Sequence, residues 1–289
     1  MYDSGVESSV DDDFVVFAHQ ATQPTVEGTA VKHVKQFLAW ILLLLARFSN
    51  YRGKLETTIT LCYRGLDLAL PRSRTGCELL LKSAFATYRS GRKAVFKADA
   101  TRALAIARED GYGDLEATAR GMFGIYHQQK GEKDEALRCY FHASEIFRTL
   151  RDSGGEAKVL IPMGTLHREL GDYDNAENEF HRAVTCTRKR RLVVNAWLEQ
   201  GRLAFVQGDM QIAERRVRSA LKQAGWLPWL RFPNEIGDCH RQLARIAAKQ
   251  GRKEEARAHF KEAHFLYRLY GYTDKADAIL CEARELQTA

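Results

Sequence analysis

The 289-residue sequence predicts an all-α fold, a solenoid of about six antiparallel helix pairs closed by a C-terminal capping helix. Three observations carry this. Gly53, Gly91, Gly131, Gly171, Gly208 and Gly251 recur at intervals of 38, 40, 40, 37 and 43 residues. Seven residues before each stands a small residue (Ala46, Ala84, Gly124, Gly164, Gly201, Ala244), and twelve after each another (Gly65, Ala103, Ala143, Ala183, Ala220, Ala263). Around them apolar residues return at i, i+3 and i+4, as in Leu160, Met163, Gly164 and Leu166, and the whole chain holds only five prolines. Helix pairs at a period near 40 make a solenoid, with the glycine at each hairpin turn and small residues where two backbones approach.

Residues 1–30 come first. They hold six acidic and no basic residues and show no helical period, which predicts a mostly disordered tail. The net charge of +7 therefore divides into −6 on the tail and +13 on the remainder. "DSGVES" (3–8) resembles the phosphodegron read by an F-box ubiquitin-ligase receptor, with Ser4 and Ser8 as acceptors. Ser9 also precedes acidic residues, and phosphorylation at these serines would deepen the negative charge.

Repeat one opens the solenoid, expected over 31–271, with "FLAWILLLLARF" (37–48). Ten apolar residues, Phe37 to Ala46, are too few for a bilayer, which needs about 20. An acidic leader is also the wrong charge for a signal peptide. The expectation is a cytoplasmic protein with no membrane insertion. In register with Ala46 and Gly53, Leu42 and Leu45 face the stack, and Trp40, Leu43 and Leu44 the inner face. This uncovered apolar end is the expected assembly surface. Its cover is either Phe14 and Phe17 of "FVVF" (14–17) folding back, or a second copy in a homo-oligomer through the first repeat.

Repeats three to six are the most regular. "GMFGIYHQQKGEKDEALRCYFHASEIF" (121–147), "IPMGTLHRELGDYDNAENEFHRAV" (161–184) and "LEQGRLAFVQGDMQIAERRVRSAL" (198–221) resemble tetratricopeptide repeats. Small residue, turn glycine, Ala five later, large apolar nine later and Ala twelve later read Gly124, Gly131, Ala136, Tyr140, Ala143 in repeat three. Repeat four reads Gly164, Gly171, Ala176, Phe180, Ala183, and repeat six Ala244, Gly251, Ala256, Phe260, Ala263. Repeat five departs at Val217, and repeats one and two are degenerate, with Thr58 and Phe96 where Ala is usual. The period exceeds the family's usual 34, as in the long repeats of kinesin light chain, spindle-orientation adaptors and bacterial activator sensors. The resemblance implies a right-handed solenoid, with residues 272–289 as the capping helix.

It also implies that first helices line an inner, ligand-reading face. Its positions hold Arg47, Lys82, Arg89, Lys158, Arg168, Arg202, Arg241, Arg245 and Lys249 against Glu78, Glu169, Glu199 and Asp238, with Tyr51, Phe85, Tyr88 and Phe205 interleaved. Either these cations solvate helix faces, or they form a groove for an acidic peptide. The Lys-and-Asn pair of chaperone-tail binders is absent.

Three local features stand apart. Pro162, mid-helix, predicts a kink or a late helix start. "GWLPWLRFPNE" (225–235) places Trp226, Trp229 and Phe232 either over helix ends or on an exposed partner-binding edge. Arg188-Lys189-Arg190-Arg191 either follows a helix C-terminus or is a nuclear-import or phosphate patch, which leaves the nucleus open.

Catalytic and cofactor motifs are missing. No His-Glu-x-x-His, Gly-x-Ser-x-Gly or Walker loop occurs, so no enzyme, cofactor or metal is expected. His127 and His167 fill equivalent places 40 apart, either as packing residues or as facing metal ligands. The six cysteines stand singly, as reduced thiols would. The leading expectation is a protein-binding scaffold or adaptor, autoinhibited by its acidic tail. A ligand-responsive sensor and an RNA- or phosphate-binding repeat are the alternatives, so nucleic acid stays open.

Overall fold

A computed structural model describes residues 26–51, 53–225 and 232–288. Among them thirteen α-helices follow one another and no strand occurs: α1 (Val26–Tyr51), α2 (Leu55–Leu68), α3 (Arg74–Arg89), α4 (Lys93–Glu109), α5 (Gly113–Gln129), α6 (Lys133–Thr149), α7 (Ser153–Glu169), α8 (Tyr173–Cys186), α9 (Arg190–Gln207), α10 (Met210–Gly225), α11 (Pro233–Lys249), α12 (Lys253–Leu269) and α13 (Thr273–Thr288).

The hairpin turns follow from one backbone requirement. All six repeat glycines have positive φ, from 74° at Gly53 to 89° at Gly208. The next residue then donates its N–H to the carbonyl five positions back, as in Glu132 to His127 at 3.0 Å and Asp172 to His167 at 2.9 Å. This helix-ending bond needs a left-handed residue, where glycine avoids the Cβ clash. Between repeats three and four Arg151 takes the left-handed place instead, at φ 54°. Asp152 then caps α7 by accepting from the Gly154 and Gly155 N–H groups.

Small and large residues fit together across each hairpin. Every framework position within the helices is buried, from Ala46, Thr58, Cys62 and Gly65 in repeat one to Ala244, Ala256, Phe260 and Ala263 in repeat six, while the six turn glycines are exposed. The Phe180 ring lies over Gly164, where a β-carbon would come within 2.7 Å of it, and Tyr140 covers Gly124 in the same way. In repeat two the volumes are exchanged. Phe96 fills the usual Ala place and packs on Tyr88, Phe123 and Tyr126, while Ala100 takes the large residue's place. Total volume is kept, so the degenerate repeat still packs.

Each even-numbered helix packs on the odd-numbered helices before and after it, and odd-numbered helices also touch in succession from α1 to α11. The odd-numbered helices therefore line one continuous face.

Three expectations need correction, and a fourth loses one of its two alternatives. Helix α1 begins at Val26, so residues 26–30 are helical rather than tail, while residues 1–25, with Ser4, Ser8, Ser9, Phe14 and Phe17, lie outside the described residues. Its apolar stretch reaches 22 residues, Thr29–Asn50, because the helix runs on through Lys32 and Lys35; by length and composition it could cross a membrane, and 17% of the apolar window is buried. Leu43 is 2% exposed, packed with Ala39, Ala46, Cys62 and Leu79, and so belongs to the core rather than to a surface. Leu45, expected in the core, is exposed, as are Trp40 and Leu44. Finally, Pro162 lies inside α7, which starts nine residues earlier at Ser153, so no late start occurs.

Candidate ligand-binding groove

The face lined by the odd-numbered helices carries the predicted groove residues, but the fold neutralises many of them. Arg47 of α1 pairs with Glu78 of α3. Arg168 of α7 and Arg202 of α9 share Glu199. Arg241 and Arg245 of α11 share Glu282 of α13, reached by the Arg241 Nε at 3.0 Å and the Arg245 Nε at 2.9 Å. Arg89 stacks on Phe85, its guanidinium carbon 5.9 Å from the ring centre. Tyr88 joins the Phe96 aromatic cluster, and Phe205 packs beside the α9–α11 core. The side chain of Tyr51 is not among those described. An evenly basic groove is thus replaced by a C-terminal half closed by the protein's own carboxylates.

The N-terminal half is different. Among the described residues no carboxylate lies within salt-bridge distance of Lys82, Lys158 or Arg89, and in the C-terminal half the same holds for Lys249 of α11. Lys82 of α3 is half-buried, and burial, followed by the Arg47 charge, pushes its pKa down. Lys158 of α7 is also lowered, by burial first, then by Lys189 and more weakly by Arg47. Its side chain keeps much of its surface in water, so the mutual repulsion is screened. Lys82 also feels the Lys158 charge. Lys82 and Lys158 thus each feel the Arg47 charge from a different odd-numbered helix, while Glu78 offsets part of it at Lys82 and Asp152 at Lys158.

Glu282 is not among the residues expected on the inner face, because residues 272–289 are expected only to cap the stack. Continuing the period of about 40 beyond Gly251 places Glu282 at the inner-face position of Lys82 and Glu199.

The remaining candidates have structural partners. His127 Nδ1 lies 2.5 Å from Glu132, and His167 Nδ1 is 3.2 Å from Asp172, so each histidine meets the residue after its own turn glycine instead of the other histidine. Among the described residues no cluster of three His, Cys, Asp or Glu suits a metal. Arg190 donates to the Gln223 carbonyl at 2.7 Å, and Arg191 to the buried Glu235 at 2.5 Å. Lys189 ends 3.9 Å from Asp152, so much of this cluster is tied into α7, α10 and α11. Phe232 packs on the α9–α11 core, while Trp226 and Trp229 lie outside the described residues.

No protein-family model matches the chain, and no curated protein is similar to it in sequence. Solved structures share the fold. Aspartyl phosphate phosphatase F from Bacillus subtilis matches 98% of this chain and 76% of its own, at TM-score 0.64 and 10% identity. A Rap protein complexed with Competence and Sporulation Factor matches 96% and 79%, at 0.61 and 14%. A signal transduction ATPase with a tetratricopeptide repeat sensor, from Pyrococcus horikoshii, matches 85% of this chain and 41% of its own, at 0.59 and 15%. At such identities the likeness is one of architecture, and that architecture is the tetratricopeptide-type helical repeat.

Proposed function

We propose that this tetratricopeptide-type solenoid is a protein-interaction scaffold whose inner face holds an acidic segment at Arg47, Lys82 and Lys158. The observation that carries the reading is the pair of lysines, Lys82 and Lys158, which have no carboxylate within salt-bridge distance among the described residues and which both feel Arg47, itself paired with Glu78. A carboxylate or phosphate-bearing chain supplies the missing counter-charge through charge-assisted hydrogen bonds, and Phe85 and the Arg89 stack offer apolar contact alongside. The protein's own acidic residues 1–25 are the first such segment available. Docked there, they would compete with a partner, more strongly when Ser4, Ser8 or Ser9 is phosphorylated. We place this activity in the cytoplasm.

A labelled peptide of residues 3–17 is the probe, titrated into the full chain and into a chain starting at Val26. Binding should be stronger without the tail and weaken as salt rises. Lys82→Glu with Lys158→Glu should abolish it, and Lys249→Glu should leave it nearly intact. Equal affinity in all of these proteins at low salt sinks the reading.

A second reading is a ligand-responsive sensor. The Rap protein complexed with Competence and Sporulation Factor favours it, because its fold spans nearly this whole chain. A change in hydrodynamic radius on peptide binding would distinguish a sensor from a static scaffold. Steeply salt-dependent binding of RNA, with no binding of the acidic peptide, would instead indicate a phosphate-reading repeat.

A further inference from the structure

We infer that α1 is a self-association helix, which pairs two copies of this protein through a seam formed by Val31, Val34, Leu38, Ile41 and Leu45. Helix α1 has two apolar seams. The first, Ala39, Leu43 and Ala46, is buried against Cys62 and Leu79 of the same chain. The second lies on the opposite side and advances by three, four, three and four residues, the spacing by which one helix meets another along its length. Val31, Val34, Leu38 and Leu45 on it are 42–58% exposed, and Ile41 is half-buried. Phe37 and Leu44 flank it, both exposed, and Trp40 stacks on Phe37 with ring centres 6.1 Å apart.

Area and charge select a second copy as the occupant. Side chains of this size and exposure present on the order of 600 Å² of apolar surface, the upper end of the largest patch on a typical monomer. Two copies would remove about 1,200 Å² from water, the lower bound for a stable interface. The seam holds no charged residue, so identical seams meet without repulsion. A bilayer suits α1 less well. Its other seam is fixed to neighbours by the Leu70 N–H donating to Gln36 at 2.9 Å and by the Arg47–Glu78 pair. Insertion would draw those charges into hydrocarbon or strip α1 from α2 and α3. The segment 14–17 offers four apolar residues, too few to cover a seam fifteen residues long.

Sedimentation equilibrium of the full chain at micromolar concentration tests this, alongside flotation with vesicles of neutral and anionic phospholipid. The expected result is a species of twice 32.9 kDa that does not float. Leu38→Glu with Leu45→Glu should raise the dissociation constant at least about 100-fold. Helix content of this variant should be unchanged, because both residues lie outside the chain's own core, and its melting should match that of the wild type diluted until it is monomeric. Mixing it with Leu38→Lys, Leu45→Lys should restore dimers, a rescue that misfolding cannot mimic. The inference is overturned by a wild-type monomer, with or without flotation, by a dimer that persists in the Glu variant, or by failure of the oppositely charged variants to pair.

Discussion

At Gly164 an added β-carbon would lie 2.7 Å from the Phe180 ring, whereas at Gly121 it would lie 3.4 Å from Val159. Replacing a helical glycine by alanine ordinarily stabilises by about 1 kcal/mol. Gly121→Ala should do so, while Gly164→Ala should destabilise by about 1–3 kcal/mol through overpacking. Thermal melting of the two variants decides it, and equal shifts would contradict the ring-over-glycine account. This logic explains what was legible. Gly164 and Phe180 stood out because small and large residues kept their places, and repeat two looked degenerate because Phe96 and Ala100 had exchanged theirs. A second residue-scale prediction concerns His240, which meets His259 through Nδ1 atoms 2.9 Å apart. Burial, then the neighbouring His259, lowers the His240 pKa to about 4, and burial lowers that of His259. The unfolded chain takes up a proton near 6.5 and the folded one only near 4. Stability is therefore present above pH 6.5 and lost as pH falls toward 4. Urea midpoints at pH 7.5 and pH 5 should show the drop, and His240→Gln should reduce it.

Among the elements, α13 does more than cover the end of the stack. Glu282 carries the counter-charge for both Arg241 and Arg245, and those hydrogen bonds keep its pKa below the ordinary carboxylate range despite burial. Glu282→Gln should loosen α13 by about 1–3 kcal/mol, the usual worth of hydrogen bonds to a charged group. Amide exchange should quicken along 273–288 and stay unchanged in α5–α8. Uniform protection in the variant would mean that packing of Ala276 and Ile279 alone holds the helix. The C-terminal helix itself was legible from its polar, helical sequence. Its role in the groove was not, since that depends on the stack continuing its period beyond the last glycine. Helix α1 was misread for a related reason. Leu43 and Leu45 are chemically alike, and only contact with Cys62 and Leu79 decides which one is buried.

Over the whole molecule, contacts run almost entirely between neighbouring helices, so the fold was legible from a short repeated pattern. The groove was not, because Arg47 and Lys158 lie more than a hundred residues apart in sequence, and whether one charge is felt by the other depends on where the stacked helices place them. The same neighbour-only construction predicts how the molecule unfolds. Stability is close to a sum of repeat and interface contributions, so a lesion's position decides whether unfolding stays cooperative. Phe180→Ala empties the centre and removes about 3–5 kcal/mol from repeat four. Phe260→Ala removes a similar amount from the last repeat, where one side has only α13 to support it. The end lesion should release α11–α13 early in denaturant while amides of α5–α8 keep their protection. The central lesion should weaken both halves together and broaden the transition, because neither half retains an intact neighbour across repeat four. Hydrogen exchange at a series of denaturant concentrations separates these outcomes. Identical exchange patterns in the two variants would mean that the solenoid folds as one indivisible unit, held by longer-range coupling than its helix contacts supply.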